Sequence, residues 1–376
     1  MCLLDRLRCF LGVAHLTTES ASDRARVAAA ELRKAAAPSS SAPLVFDRRV
    51  KTEQARGVGE TTRGATLKRT PSQRGRAAFL GHTSDPLQCE VAERLVERLE
   101  DCRRSFPTAL VLGGAHHAVA SRLGSGRAGV TALVHLDSSA EVLDSVRASQ
   151  LPAGCSRELR LADEEELQLE PATFDVVIAC LSLHWLNDLP GAMIQARRAL
   201  RPDGLFLAAF FGGATLNELR IACAVGEQER EGGVSPRVSP LAQVRDAGNL
   251  LGRAGFVLPA VDTDTLTVRY RSAVDVAEHC RKMGENNAVT ARRPSLRRDT
   301  ALAAAVAYEA LFSEGGTVPA TWQVVYMTGW SPSENTPKAL ERGSATVSFR
   351  DLARMEAGEA EEPTQGQGEP VAPDHK

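Results

Sequence analysis

The sequence predicts an α/β fold in which helices cover both faces of a doubly wound, parallel sheet. The first observation is an unbroken apolar run, Val176–Ala179, with the composition of a strand that is buried on both faces. The second is the order of the next two elements, a helical stretch at Leu189–Leu200 and another apolar run at Leu205–Phe211. Strand, helix and strand in this order are typical of parallel sheets, whose ligands bind at the carboxyl ends of the strands.

Composition and charge narrow the class of protein. The chain has 376 residues, 43% of them hydrophobic and 24% charged, which is typical of a globular protein with one large domain or two. The formal net charge of −2 gives no general attraction to nucleic acid or to an anionic membrane. No apolar run reaches the length of a membrane span, so any membrane association is expected to be peripheral. The eight cysteines include no CxxC pair, which favours reduced thiols over a disulfide framework or a zinc site.

Four regions are indicated by changes in composition. Residues 1–43 combine a short amphipathic helix with an Ala-, Ser- and Arg-rich stretch, which fits an organellar presequence and equally a flexible terminus. Residues 44–86 begin with a short stretch at 44–49 that has the composition of an ordered segment, and they continue as a basic linker or insertion. Residues 87–350 contain the α/β domain with its helical insertions, and residues 351–376 are predicted to be a disordered acidic tail.

The remaining elements complete a sheet with a helical C-terminal extension. Upstream of the central unit the predicted strands are Ala109–Leu112, Thr131–Leu136 and Glu158–Leu161. Downstream strand candidates are Phe256–Val261, Leu266–Tyr270 and Thr321–Trp330. The helices predicted in this half are Leu216–Glu229, Val244–Ala254, Ala273–Met283 and Thr300–Phe312. Between the two halves, Arg201–Gly204 is predicted to stop a helix and form a turn.

Polar residues follow the first three predicted strands. Asp137 and Asp163 come after the second and third strands, where carboxylates suit the ribose and the adenine amine of a nucleoside ligand. Taken singly, each acid also fits a role in a turn or a helix cap. Gly113 and Gly114 follow the first strand and allow the backbone to approach a ligand closely. The joint placement favours a nucleoside site at this edge of the sheet.

Histidines near this edge raise the question of a metal. His116 and His117 are predicted on a loop, where adjacent residues rarely reach one ion, and a surface or supporting role is favoured. His135 and Asp137 form a His-x-Asp pair on one side of a strand. Such a pair supplies two of the three ligands of a facial iron triad. No spacing selects a third ligand from distant histidines such as His184 or His279, so the sequence does not support iron.

The loop after the central strand carries the candidate catalytic residues, His184 and Trp185. An imidazole can act as an acid or base near neutral pH, although the sequence identifies no partner for His184. Trp185 fits either packing or stacking on a ligand.

Several motifs carry a resemblance to a known family. They include FDRRVK at 46–51, LADEEEL at 161–167, LSLHWLNDLP at 181–190, EREGGVSPRVSP at 229–240 and ERGSATVSF at 341–349. The chain resembles class I S-adenosylmethionine-dependent methyltransferases. More narrowly, it is similar to the mitochondrial complex I assembly factors of the methyltransferase-like arginine hydroxylase type.

The resemblance implies a class I methyltransferase-like, Rossmann-like fold. It implies a protein on the matrix side of the mitochondrial inner membrane that hydroxylates an arginine of a complex I subunit. It further implies an S-adenosylmethionine site lined by Gly113, Gly114, Asp137, Asp163 and Leu181.

The first glycine loop departs from the family pattern. Asp-x-Gly-x-Gly-x-Gly is replaced by Val111–His117, which lacks the acid and two of the three glycines. This loop predicts weak or absent binding of S-adenosylmethionine. Two alternatives stay open beside the hydroxylase: an S-adenosylmethionine-dependent methyltransferase acting on a protein or a small carboxylic acid, and a non-catalytic assembly chaperone.

Overall fold

A computed structural model describes residues 45–52, 85–123, 126–149, 154–291, 293 and 296–337. Within them, seven strands form one sheet in the order β3-β2-β1-β4-β5-β7-β6. The strands are β1 Thr108–Gly114, β2 Ala132–Asp137, β3 Ser156–Leu161, β4 Phe174–Cys180, β5 Leu200–Phe211, β6 Val257–Tyr270 and β7 Val318–Trp330. The predicted class I methyltransferase-like α/β fold is confirmed.

The central strand has the environment that its composition predicts. All seven residues of β4 are buried, and β4 pairs in parallel with β1 on one side and β5 on the other. Because β1 to β5 run in the same direction, their C-terminal ends lie along one edge of the sheet, called the carboxyl edge below.

The far end of the sheet differs from the sequence prediction. Val257–Tyr270 is one continuous strand, although the sequence predicts two short ones at Phe256–Val261 and Leu266–Tyr270. Strand β7 is antiparallel to both β5 and β6, so the sheet is mixed. The long register between β6 and β7 keeps Asp262–Thr265 paired, and so the polar residues between the two apolar stretches do not end the strand.

Helices on both faces enclose two apolar cores. The helices are α1 Pro86–Glu100, α2 His116–Leu123, α3 Ala140–Ala148, α4 Leu189–Ala199, α5 Asn217–Glu231, α6 Val244–Arg253, α7 Ala273–Met283 and α8 Arg298–Phe312. Alternate residues of β4 enter the two cores: Val176 and Ile178 belong to one, and Val177 and Ala179 to the other. This two-sided burial holds β4, and the loop that follows it, in place.

Two local predictions were wrong. The helix before Arg201–Gly204 ends at Ala199, as predicted, but these four residues lie within β5 rather than in a free turn. There Asp203 adopts a positive φ of 59°, and the register between β4 and β5 shifts nearby. His116 and His117 begin α2 rather than occupying a loop, and His116 is buried.

A short segment from the N-terminal part of the chain crosses the carboxyl edge. Residues 48–52 form a helical turn, and Phe46 pairs with Val289 through an isolated β-bridge. Asn187 Oδ1 accepts hydrogen bonds from the backbone of Val45 and Phe46 at 2.9 and 2.8 Å. Segment 45–52 is therefore fastened both to the loop after β4 and to the chain after α7.

Several predictions fall outside the described residues. They concern residues 1–43, most of the basic linker, the motif at 341–349 and the acidic tail at 351–376. Within the described residues, none of the helices has the length and apolar character needed to cross a bilayer.

Candidate functional site

The ends of β1 and β4 lie so close together that the glycines at the end of β1 have no room for a side chain. Gly113 and Gly114 have positive φ angles of 54° and 70°. A Cβ added to Gly114 would lie 2.0 Å from the carbonyl oxygen of Cys180. Leu181 follows β4 with a φ of 57°, a strained angle for a residue with a side chain, and its N–H donates to Ala209 O at 2.7 Å. These three predicted cofactor residues thus shape the carboxyl edge through the backbone.

Asp137 ends β2 and is held by a chain of two histidines. His116 Nε2 donates to Asp137 Oδ2 at 3.0 Å, because a carboxylate can only accept. His116 Nδ1 is then the acceptor for His135 Nδ1, 3.1 Å away. The other oxygen of Asp137 accepts the backbone N–H of Ser139 at 2.7 Å. Burial is the main cause that lowers the pKa of His135 to about 2, so this imidazole is neutral.

Arg48 binds the carboxylates that follow the neighbouring strand, β3. Its guanidinium donates to Asp163 Oδ1 at 2.9 Å and to Glu164 Oε2, and Glu165 lies 3.9 Å away. Glu164 also accepts from Ser138 N at 3.3 Å. Asp163, which the sequence predicts as an adenine contact, is therefore ion-paired with the chain's own arginine. We call Asp137, Asp163 and Glu164 the acidic side of the carboxyl edge.

Burial and neighbouring opposite charges have opposing effects on the pKa values of Glu164 and Arg48. Burial raises the pKa of Glu164, an effect that Arg48 opposes and that the nearby Asp137 and Asp163 reinforce. Burial disfavours the charge of Arg48, but Glu164, Asp163 and Glu165 outweigh it and raise the pKa of the guanidinium. Two of the three carboxylates of the acidic side, Asp163 and Glu164, thus depend on one cation.

Both predicted cofactor acids already have partners within this chain. The oxygens of Asp137, which would accept the hydroxyls of a ribose, each already accept one hydrogen bond, from His116 and from Ser139. The carboxylate of Asp163 is bound to Arg48. Because each carboxylate oxygen can accept two hydrogen bonds, a nucleoside ligand would share these carboxylates with groups of this chain.

On the other half of the carboxyl edge, His184 and Trp185 converge on Glu285. Both lie in a 3₁₀ turn, Leu183–Trp185, directly after β4. His184 Nε2 lies 3.0 Å and Trp185 Nε1 2.9 Å from the same carboxylate oxygen, Oε2 of Glu285. Lys51 Nζ lies 3.4 Å from the other oxygen, Oε1. We call His184, Trp185 and Glu285 the aromatic side of the carboxyl edge.

The charge state of Glu285 fixes the tautomer of His184. Burial works to raise the pKa of Glu285, but Lys51, His184 and the Trp185 N–H overcome it and hold that pKa below its usual value. The ionised carboxylate accepts, so the proton of a neutral His184 is on Nε2 and its Nδ1 carries a lone pair. Nδ1 is buried and has no hydrogen-bond partner in the described part of the chain.

A small pocket, partly open to solvent, lies beside these residues. Its walls combine the aromatic side with the rings of Phe211 and Trp322 and with the loop that holds Arg237 and Ser239. Arg237 donates to Glu227 at 2.5 Å, and both side chains are buried, so the pair adds no net charge to the wall. The pocket is mainly apolar, with a few fixed polar atoms, as ligand pockets usually are.

The candidate iron ligands are bound to different partners. His135 contacts His116, His184 contacts Glu285, and His279 Nε2 contacts Asp85 at 2.7 Å. In the region that the structure describes, no group of three or more His, Cys, Asp or Glu side chains is arranged to hold a metal ion.

Sequence reasoning missed three residues that organise both sides. Arg48 lies in the FDRRVK motif and Glu164 in LADEEEL, so the motifs marked them but their pairing was not predicted. Glu285 lies outside every motif that carried the resemblance, and no local signal distinguishes it from a surface acid. Its role depends on residues that are 100 and 101 positions away in the chain.

Comparisons with known proteins agree with this architecture. A methyltransferase domain family matches residues 111–208. The chain is 43% identical over 272 residues to the protein named "Arginine-hydroxylase NDUFAF5, mitochondrial" of Danio rerio, covering 72% of this chain and 83% of that one. The Homo sapiens protein of the same name is also 43% identical over 272 residues, with 72% and 77% covered.

A second group of relatives is more distant. The malonyl-[acyl-carrier protein] O-methyltransferase of Xylella fastidiosa (strain M23) is 32% identical over 266 residues, which are 69% of this chain and 85% of the relative.

Proposed function

The chain belongs to the family of the mitochondrial arginine hydroxylase NDUFAF5, and from this premise we propose that it is a mitochondrial enzyme that hydroxylates an arginine of a partner protein. The proposed partner is a subunit of respiratory complex I, whose assembly the modification would serve. The proposed location is the matrix side of the inner membrane, with peripheral association.

One observation carries the choice of an arginine substrate. Glu285 is a carboxylate with an 11% exposed side chain, and His184 and Trp185 hold it in place at the wall of a pocket. A buried carboxylate that stays ionised favours a cationic ligand, and aromatic walls favour a planar one such as guanidinium. The same residues would fix the arginine side chain and exclude water from it.

The roles of individual residues follow from their contacts. Glu285 would bind the positive charge, and His184 Nδ1 would accept a hydrogen bond from a substrate N–H. Trp185 would pack against the substrate side chain. These roles of Glu285, His184 and Trp185 do not depend on S-adenosylmethionine.

Mass spectrometry of complex I subunits from cells that lack the protein tests the proposal. We expect one arginine to lose an added oxygen in these cells and to regain it when the wild-type chain is restored. The variant Glu285→Gln should restore less of the modification, because a neutral amide does not attract the guanidinium. Unchanged oxygen on every subunit arginine in the absence of the protein would contradict the proposal.

A methyltransferase is the second candidate, favoured by the similarity to malonyl-[acyl-carrier protein] O-methyltransferases. The same measurement separates the two, because a methyltransferase would account for a lost methyl group instead of a lost oxygen. If complex I fails to assemble while neither group is lost, the non-catalytic chaperone is supported and both enzymes are excluded.

A further inference from the structure

The ammonium group of Lys51 occupies a cation-binding site on the aromatic side. Lys51 Nζ lies 3.6 Å from the ring centroid of Trp185, which places the ammonium over the indole face. It donates to Gly284 O at 2.8 Å and lies 3.4 Å from Glu285 Oε1. An aromatic face, a backbone carbonyl and a carboxylate are three groups that attract positive charge. We call Trp185, Gly284 and Glu285 the cation seat.

The cation seat is held together without Lys51. Glu285 Oε2 is fixed by His184 and Trp185, so Oε1 keeps its position when the lysine leaves. Segment 45–52 is fastened through its backbone, including Asp47 N to Ala288 O at 2.7 Å. The lysine can therefore withdraw by rotation of its flexible side chain while the segment stays in place.

Lysine is a poor occupant of this seat. Burial is the main cause that lowers the pKa of Lys51 to about 8, even though Glu285 favours the charged form. A guanidinium stays charged, is less strongly hydrated, stacks flat on an indole ring and offers a fork of donors to a carboxylate. The groups around the ammonium thus suit an arginine side chain better than a lysine.

The seat also adjoins the pocket described above. Trp185 and Glu285 line that pocket and form two of the three walls of the seat. A side chain in the pocket would therefore contact residues of the seat.

We infer that the cation seat receives the guanidinium of the substrate arginine and that Lys51 occupies the seat until this arginine enters. The inference rests on the proposed function, because it names the part of that site which recognises the substrate. Lys51 then acts as a tethered competitor, and its departure is coupled to substrate binding.

Two substitutions of Lys51 test the inference in opposite directions. The full chain is titrated with a fluorescent peptide that contains one central arginine, and with the same peptide carrying citrulline, which lacks the charge. Lys51→Met removes the competitor and should tighten binding of the arginine peptide by about threefold or more. Lys51→Arg fills the seat with a better occupant and should weaken binding by a similar factor. The citrulline peptide should bind weakly to every variant.

Arg245→Met is the control, because Arg245 is an exposed cation on α6 whose guanidinium lies 4.0 Å from Asp246. It should leave the affinity for the arginine peptide unchanged. A purely structural Lys51 predicts a different pattern, with Lys51→Arg equal to wild type. Equal affinities for wild type, Lys51→Met and Lys51→Arg would overturn the inference. If thermal melting shows that Lys51→Met does not fold, Lys51→Arg decides alone: weaker binding supports the seat, and unchanged binding overturns it.

Different measurements would overturn the cation seat and the proposed function. If the subunit arginine carries oxygen only when the protein is present, but neither Lys51 variant changes peptide affinity, the seat is wrong and the hydroxylase stands. If the affinities shift as expected while no oxygen depends on the protein, the seat is supported as an arginine site and the hydroxylase function is overturned.

Discussion

Both sides of the carboxyl edge contain largely buried carboxylates, but the partners of these carboxylates differ. On the acidic side, His116 binds Asp137 and Arg48 binds Glu164, so groups of the same chain take the acceptors. On the aromatic side, one oxygen of Glu285 is enough to fix His184 and Trp185, and the other faces a replaceable lysine. The function of such a common fold therefore depends on the partners of its edge residues rather than on the fold.

The largest expected effect comes from removing the anchor of the aromatic side. Glu285→Ala removes the acceptor of two ring N–H groups and the carboxylate partner of Lys51, and we expect a loss of about 3–5 kcal/mol in the free energy of unfolding. Urea denaturation measures this loss. Glu314→Ala is the control, because Glu314 pairs with Arg269 at the surface with side chains 72% and 52% exposed, and it should cost less than about 1 kcal/mol. Similar losses in both variants would show that Glu285 is not an anchor.

The pH dependence of stability should have opposite signs on the two sides. Glu285 has a lowered pKa in the folded state, so its contribution is present above the unfolded pKa and is lost as the pH falls through the folded value. Glu164 has a raised pKa, so its contribution is complete below the unfolded pKa and is lost as the pH rises through the folded value.

Unfolding free energies of wild type, Glu285→Gln and Glu164→Gln, measured between about pH 3 and pH 8, test this contrast. The difference between wild type and Glu285→Gln should increase with pH, and that between wild type and Glu164→Gln should decrease. Each slope is at most about 1.4 kcal/mol per pH unit, the value for one proton. Slopes of the same sign would remove the distinction between the two sides.

The smallest expected effect is on cofactor affinity. Calorimetric titration of the wild-type chain with S-adenosylmethionine should show weak or absent binding, because the acceptors of the acidic side are paired within the chain. Arg48→Ala releases Asp163 and Glu164 and should improve the affinity by about tenfold at most. Arg49→Ala, at an exposed position of the same segment, should change nothing. Micromolar affinity of the wild type would show that His116 and Arg48 do not close the site.

Much of the sheet was predictable because local patterns encode it. The apolar run at Val176–Ala179 and the strand–helix order indicated which strand lies at the centre and where its loop emerges. The same reasoning put Asp137 and His184 at the carboxyl edge, where the structure has them. Their assignment as cofactor-binding and catalytic residues stays a prediction.

The contacts that give the edge its chemistry were not predictable in the same way. Arg48 and Asp163 are 115 positions apart, and Lys51 and Glu285 are 234 apart. No periodicity connects positions so distant. Even the motif FDRRVK, which marked the segment of Arg48 and Lys51, does not indicate which carboxylates these cations meet.

By itself the sequence determined the α/β class, the central strand and the family resemblance, because burial periodicity and motifs are local properties of the chain. Only the tertiary structure decided that segment 45–52 lies across the carboxyl edge, that Arg48 binds carboxylates of the acidic side and that Lys51 lies in the cation seat. The physical reason is that these are interactions between charges, which depend on distance and burial in space and not on spacing along the chain.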